Sequence, residues 1–236
     1  MIKNILRLAV LALCLYSCSP ESTDQITGQG NDAVLRLRKT GIDPENPANP
    51  YDGIGKTHNN LLLTLKNDPP QSTLNSILSF VETHAFLHED FSTLALENYL
   101  PISSAQEKII ENSNIEAVLD AGQFSDTAKD RFSVLFSTFS APGYQQAEFS
   151  VVYNSLINYE QDVLLDANLN GYEKKTILVT AAIARYAAAL DKGKGKDKDW
   201  KLTINNIVAA ASGATESEAK AIIMAIAGGI YHGRRI

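Results

Sequence analysis

From residue 51 onward, apolar side chains recur every three or four positions, and nowhere does the chain sustain the alternation that a half-buried strand needs. Ile54, His58, Leu61, Leu62 and Leu65 share one face of a first helix, which Asp68-Pro69-Pro70 stops. Leu74, Ile77, Leu78, Val81 and Ala85 repeat the stripe, with Ser72 or Thr73 placed to cap it. A shorter helix suits residues 91–100 before Pro101, and Ser104 with Glu107 has capping-box spacing ahead of Ile109 and Ile110. Ile115, Val118 and Leu119 predict a short helix ending at Gly122. Phe132, Leu135, Phe136 and Phe139 predict a longer one, with Asp126 as N-cap and a break at Ala141-Pro142-Gly143. Phe149, Val152, Leu156, Tyr159 and Val163 follow a helical seam, Asn170-Gly171 turns the chain, and Ile177, Ala181, Ala184 and Ala188 return along a small-residue face. That pair reads as an antiparallel helical hairpin. The Lys/Gly/Asp run at 192–199 predicts a solvated loop. Two apolar helices close the chain, at 202–212 and 216–231, the second opened by Thr215 with Glu218. The expected fold class is all-α, a bundle of short to medium helices.

Twenty-seven acidic against 21 basic side chains give a formal charge of -6, which argues against a nucleic-acid partner. The only cysteines are Cys14 and Cys18, both near the N-terminus. Residues 19–50 are rich in Pro, Ser, Thr, Gln, Gly, Asn and Asp, and the segment Pro44-Glu45-Asn46-Pro47-Ala48-Asn49-Pro50 suits neither a helix nor a central strand. They read as a flexible spacer.

The first seventeen residues carry Lys3 and Arg7, then about a dozen mostly apolar positions, then Leu15-Tyr16-Ser17-Cys18. A basic start, a short apolar run and a small residue before the cut have the form of a secretory signal, too short to span a bilayer comfortably. The cysteine directly after that small residue resembles the lipobox of bacterial lipoproteins, with Tyr16 bulkier than usual for its position. The resemblance implies removal of residues 1–17 and lipidation of the Cys18 thiol with acyl chains such as palmitate, three in all, an effectively permanent anchor. With Cys14 discarded and Cys18 acylated, no disulfide would form. By the same resemblance, Ser19 after the cysteine implies the outer membrane, and the lipid bilayer becomes a partner through Cys18. The expected organisation is a signal peptide at 1–17, the lipidated cysteine and linker at 18–50, and an all-helical domain at 51–236.

Several constellations bear on chemistry. Pro50 to Thr57 ends in Gly55-Lys56-Thr57 as a P-loop does, but Pro50 stands where a glycine is required and a proline-rich coil precedes it. Asp166, Asn168, Asn170 and Gly171 match half of an EF-hand loop, yet Lys174 and Ile177 occupy later ligand positions, so a helix-to-helix turn is the better reading. His84 and His88 lie one helical turn apart, two-thirds of a zinc site, with His58 or Asp52 as the candidate third ligand. The competing reading makes His84 and His88 half-exposed residues near a helix end, and His58 a satisfied core histidine. Ala221, Ala225, Gly229 and Gly233 form a small-residue series that suits close packing inside the domain or self-association.

Asn49-Pro50-Tyr51-Asp52, then Gly55, then His58-Asn59 resembles a signature near the mature start of exported lipoproteins from Bacteroidota-like bacteria. That group carries no assigned activity, so the resemblance implies no catalytic residue and no cofactor. Physically the segment reads as a helix-initiating turn in which Pro50 fixes the chain and Asp52 caps the first helix. The functional expectation is a non-enzymatic envelope protein that binds a protein or cell-wall partner. The alternatives are a metal-assisted hydrolase using His58, His84 and His88 with Asp52, and a self-associating protein built on the C-terminal helix.

Overall fold

The computed structural model describes residues 43–65, 73–96, 99–193 and 200–233. The expected signal segment, Cys18, the linker up to residue 42 and residues 194–199 of the expected loop lie outside the described residues. Within them the chain is all-α, with eleven helices and no strand. In order these are α1 (Asp52–Leu65), α2 (Leu74–Ala85), α3 (Glu89–Ala95), α4 (Ser104–Asn112), α5 (Ile115–Ala121), α6 (Asp126–Ser140), α7 (Pro142–Gln146), α8 (Phe149–Leu165), α9 (Gly171–Gly193), α10 (Trp200–Ala214) and α11 (Glu218–His232).

The middle of the molecule is made by α9, α10 and α11. Residues 176–190, 206–214 and 219–230 are buried on every side, as expected of helices that are apolar all round. One core cluster joins α11 and one face of α9 and α10 to α1, α2 and α3; a second joins the opposite face of α9 and α10 to α6 and α8. The outer helices bury the stripes read from the sequence. All five α2 positions, all four α6 positions and all five α8 positions are buried, so the 3.6-residue period placed them correctly. None of the described helices is long and apolar enough to cross a membrane.

Several boundaries differ from expectation. The helix expected at 91–100 ends at Ala95, because Phe91 and Ala95 are the only buried positions it presents. The cap of α4 is Ser103 with Gln106, one residue before the expected Ser104 with Glu107. Ser125 rather than Asp126 caps α6, and Ser217 rather than Thr215 caps α11. Pro142 breaks the chain as expected but then opens the five-residue α7. Thr73 caps α2 as expected, in a capping box closed by Ser76.

The small-residue series of α11 is consumed internally. Ala221 and Ala225 are fully buried, and a Cβ placed on Gly229 would run into the Asn206 amide of α10. Gly213 of α10 lies equally close to the Ala221 backbone, where a Cβ would be 2.6 Å from Cα. Gly233, at the end of the series, is exposed. The series is the α10–α11 seam, which leaves no small-residue face on α11 for a second copy.

Candidate functional site

The signature segment is where polar chemistry concentrates, and it does not behave as a spacer. Asn46 and Asn49 are buried, so the packed structure begins before residue 51, inside the segment expected to be linker. Pro44, Pro47 and Pro50 keep these residues out of helix, and the short turns Asn49 N–H to Asn46 O and Asp52 N–H to Asn49 O wind them toward α1. The hydroxyl of Tyr153 on α8 donates to Glu45 O at 2.8 Å, and Lys56 pairs with the Glu45 carboxylate at 2.6 Å.

From there the segment follows one ridge of α9. Nδ2 of Asn49 donates to Leu178 O at 3.1 Å, and Nδ2 of Asn59 donates to Tyr186 O at 2.7 Å. Between them, a Cβ on Gly55 would lie 2.6 Å from Ala182 O. Residues 178, 182 and 186 are one helical turn apart, so the two asparagines and the glycine meet three successive carbonyls on one side of α9. Each carbonyl has a second lone pair beyond its helical bond, which is what lets it accept from a neighbouring side chain. The spacing of Asn49, Gly55 and Asn59 is therefore a docking register for two parallel helices.

Arg185 anchors the same interface by charge. It is the one charged side chain within the apolar stretch 176–190 and is fully buried. Its Nε donates to Glu160 at 3.1 Å and its Nη2 to Asp52 at 2.6 Å. Glu160 is also fully buried and takes a second bond from the Asn46 amide, while Asp52 accepts from the Tyr186 hydroxyl at 3.2 Å and the Asn46 N–H at 3.0 Å. Asp52 thus does not cap α1 as expected; it ties α1 to α9 and to the preceding turn. Burial pushes the Glu160 carboxyl upward, against the pull of Arg185 and the two asparagine amides. Burial opposes the Arg185 charge as well, and Glu160 and Asp52 outweigh it. A lone charge here would cost several kcal/mol, so the cluster holds only as a set.

His58 sits beside this cluster, fully buried as the core reading expects. Asn59 Oδ1 is an acceptor, because its Nδ2 already donates, so the His58 Nδ1 carries the proton at 3.1 Å and Nε2 is left as a buried acceptor without a partner. Burial lowers its pKa from 6.5 to about 4. A neutral imidazole with a free lone pair has the electronic form of a general base, but one sealed from solvent has no substrate to reach.

The metal reading fails on geometry. His84 is exposed and gives its Nδ1–H to Phe80 O at 2.8 Å, and His88 stands at the N-cap of α3 without a capping bond. No group of three His, Cys, Asp or Glu side chains suited to a metal occurs among the described residues. His58, His84 and His88 therefore do not assemble, because the first is fully buried and the second faces water. The half EF-hand is likewise a turn: Arg131 takes Asp166 Oδ2 with bonds of 3.1 and 2.8 Å, and Asn170 forms a reciprocal cap with Glu173 at the start of α9. Gly55-Lys56-Thr57 lies inside α1 and forms no phosphate-binding loop.

The open surface lies elsewhere. A cavity of about 850 Å³ is lined by Leu94, Leu96, Tyr99 and Leu100 on one wall and by Lys175, Glu216 and Glu218 on the other. A second, of about 550 Å³, shares Glu216 and runs past Gln106 and Tyr172. Sequence reasoning missed Arg185, Glu160 and Tyr186, although a single charge within the apolar run 176–190 was itself the signal that partners must exist. It missed the leucine-lined cavity because residues 94–100 read as helix. No family model matches this chain, and no similar protein was found among curated sequences or solved structures.

Proposed function

We propose that the chain is a lipid-anchored protein of the bacterial cell envelope, sited at the outer membrane, that works by binding a protein or cell-wall component and not by catalysis. The observation that carries this reading is the fate of its polar residues. Asp52, Glu160, Arg185, Asn49 and Asn59 are spent holding α1 and the turn before it to α8 and α9, and His58 is fully buried. What faces solvent instead is a large open cavity with leucines on its wall. The anchor rests on Lys3, Arg7 and Leu15-Tyr16-Ser17-Cys18. In this reading the spacer ends at the 43–50 turns, which fix where the tether meets the domain.

Membrane fractionation of the wild type against Cys18→Ala tests the anchor. The wild type is expected in the outer-membrane fraction with an acylated Cys18 peptide by mass spectrometry, and the variant in the soluble fraction. Identical fractionation, or a leader still attached to the mature protein, would contradict it. Affinity recovery of the tagged, lipidated protein from its native envelope tests binding. A stoichiometric protein or wall fragment is expected, and recovery of the chain alone contradicts the reading.

A further inference from the structure

We propose that the cavity of about 550 Å³ between α4, the turn after α5, the start of α9 and the end of α10 binds a neutral glycan, a chain of pyranose rings. This rests on the binding reading above and names the ligand's chemistry. The volume falls within the roughly 300–1,000 Å³ usual for small-ligand sites. The first support is a fixed aromatic platform. Tyr172, 40 % exposed, lines the cavity. Its ring lies nearly parallel to Phe124, with centroids 5.8 Å and planes 19° apart, and its hydroxyl donates to Gly122 O at 3.1 Å. Ring and hydroxyl are thus held in place before any ligand arrives, which lowers the ordering cost of binding. An aromatic face is apolar and electron-rich, so it suits the C–H face of a sugar ring.

The second support is a strained residue on the rim. Gln123 has φ of 51°, in the left-handed region that glycine occupies freely and glutamine only at a cost. The turn's glycine stands one position earlier, at an ordinary φ of -80°, where a Cβ would strike the Phe124 ring. Gln123 is exposed and lines the cavity, and its side-chain amide bonds to no other described residue. No bond of that amide within the fold offsets the strain, and such outliers cluster at ligand sites. The third support is neutrality. Among the described residues no Lys, Arg or His lines the cavity, and its charged lining residue, Glu216, accepts from Gln106 at 2.9 Å and pairs with the buried Lys220. A phosphate or carboxylate ligand would find no free cation there. What remains is uncharged: the Gln123 amide, the Ser212 and Thr215 hydroxyls and the Tyr172 ring, a set matched to sugar hydroxyl and acetamido groups.

The probes are two neutral tetrasaccharides, one of N-acetylglucosamine and one of glucose, titrated into the purified full-length protein by isothermal titration calorimetry. A dissociation constant of about 0.1–1 mM is expected for at least one of them. Tighter binding of the N-acetylated chain assigns the ligand to wall glycan, and tighter binding of the glucose chain assigns it to another neutral glycan. Tyr172→Leu is expected to weaken binding about tenfold. Gln123→Gly is expected to weaken it about threefold and at the same time to raise the melting temperature by about 2 °C, because glycine relieves the left-handed strain. Those opposite signs separate loss of the site from loss of the fold. No heat at about 10 mM sugar, unchanged affinity in either variant, or tighter binding of glucose 6-phosphate than of the neutral chains would each overturn the proposal. If both tetrasaccharides fail while the wild type still fractionates with the membrane and recovers a partner, only this cavity is lost and the binding reading stands.

Discussion

Replacing Gly55 with alanine adds one methyl group where two helix backbones touch. That methyl would lie 2.6 Å from Ala182 O, 2.8 Å from Ala182 C and 2.5 Å from the Tyr186 ring. Two of those three atoms are backbone and cannot swing aside, so α1 must move away from α9 by the better part of an ångström. The Asn49 and Asn59 amides sit on either side of this point with bonds of 3.1 and 2.7 Å, and the same movement stretches both. Forcing extra volume into a tight contact costs about 1–3 kcal/mol. Two weakened buried hydrogen bonds add about 1 kcal/mol each, and alanine's better helix propensity returns up to about 1 kcal/mol. The net is a loss of about 2–4 kcal/mol, or a melting temperature lower by about 10 °C for a chain of this size. Gly53, two residues earlier in the same helix, has nothing within 4 Å of an added Cβ. Gly53→Ala should therefore raise stability by about 0.5 kcal/mol. Urea denaturation followed by circular dichroism measures both. A Gly55→Ala protein as stable as the wild type, or two variants that shift alike, would refute the docking register.

Arg185→Met should destabilise by about 3–5 kcal/mol, since it strands Glu160 as an uncompensated buried carboxylate, and adding Glu160→Leu should recover much of that loss in the same denaturation assay. For His58 the folded pKa of about 4 lies below the unfolded 6.5, so its contribution is present above pH 6.5 and is lost as pH falls toward 4. Wild type should lose about 3 kcal/mol more than His58→Leu across that window, and parallel stability profiles for the two would contradict the burial of a neutral ring. Gly229→Leu, which would collide with Asn206, should lower the melting temperature while leaving the mass by light scattering unchanged; a changed oligomeric mass with an intact fold would return the small-residue series to an assembly role.

Periodicity made the fold legible because each outer helix buries one stripe. Ile77, Leu78 and Val81 on α2 and Val152, Leu156 and Val163 on α8 are buried where the spacing put them. Cap positions were less legible for a physical reason. Ser103-x-x-Gln106 and Ser104-x-x-Glu107 offer two capping boxes one residue apart, and the tertiary bonds of Gln106 with Glu216 and Lys220 select the first. The signature was visible as a pattern and its meaning was not, because Asn49, Gly55 and Asn59 acquire their roles only against the carbonyls of 178, 182 and 186, more than a hundred residues away. The same distance hid Asp52 as a partner of Arg185, whereas Glu160 stands only 25 residues before it, on the neighbouring α8. A proline-rich composition suggested a spacer at 43–50, whereas the side-chain amide of Asn46 satisfies a buried carboxylate and holds the segment down.

The central claim is that residues 46–59 form a clamp closed on α9. Native-state hydrogen exchange read by mass spectrometry tests it most directly. The account predicts that amides of residues 54–61 and 177–188 exchange only through global unfolding and with one shared free energy, and that Arg185→Met lowers both together. Exchange of 54–61 that is orders of magnitude faster than that of 177–188, or that is indifferent to Arg185→Met, would contradict it.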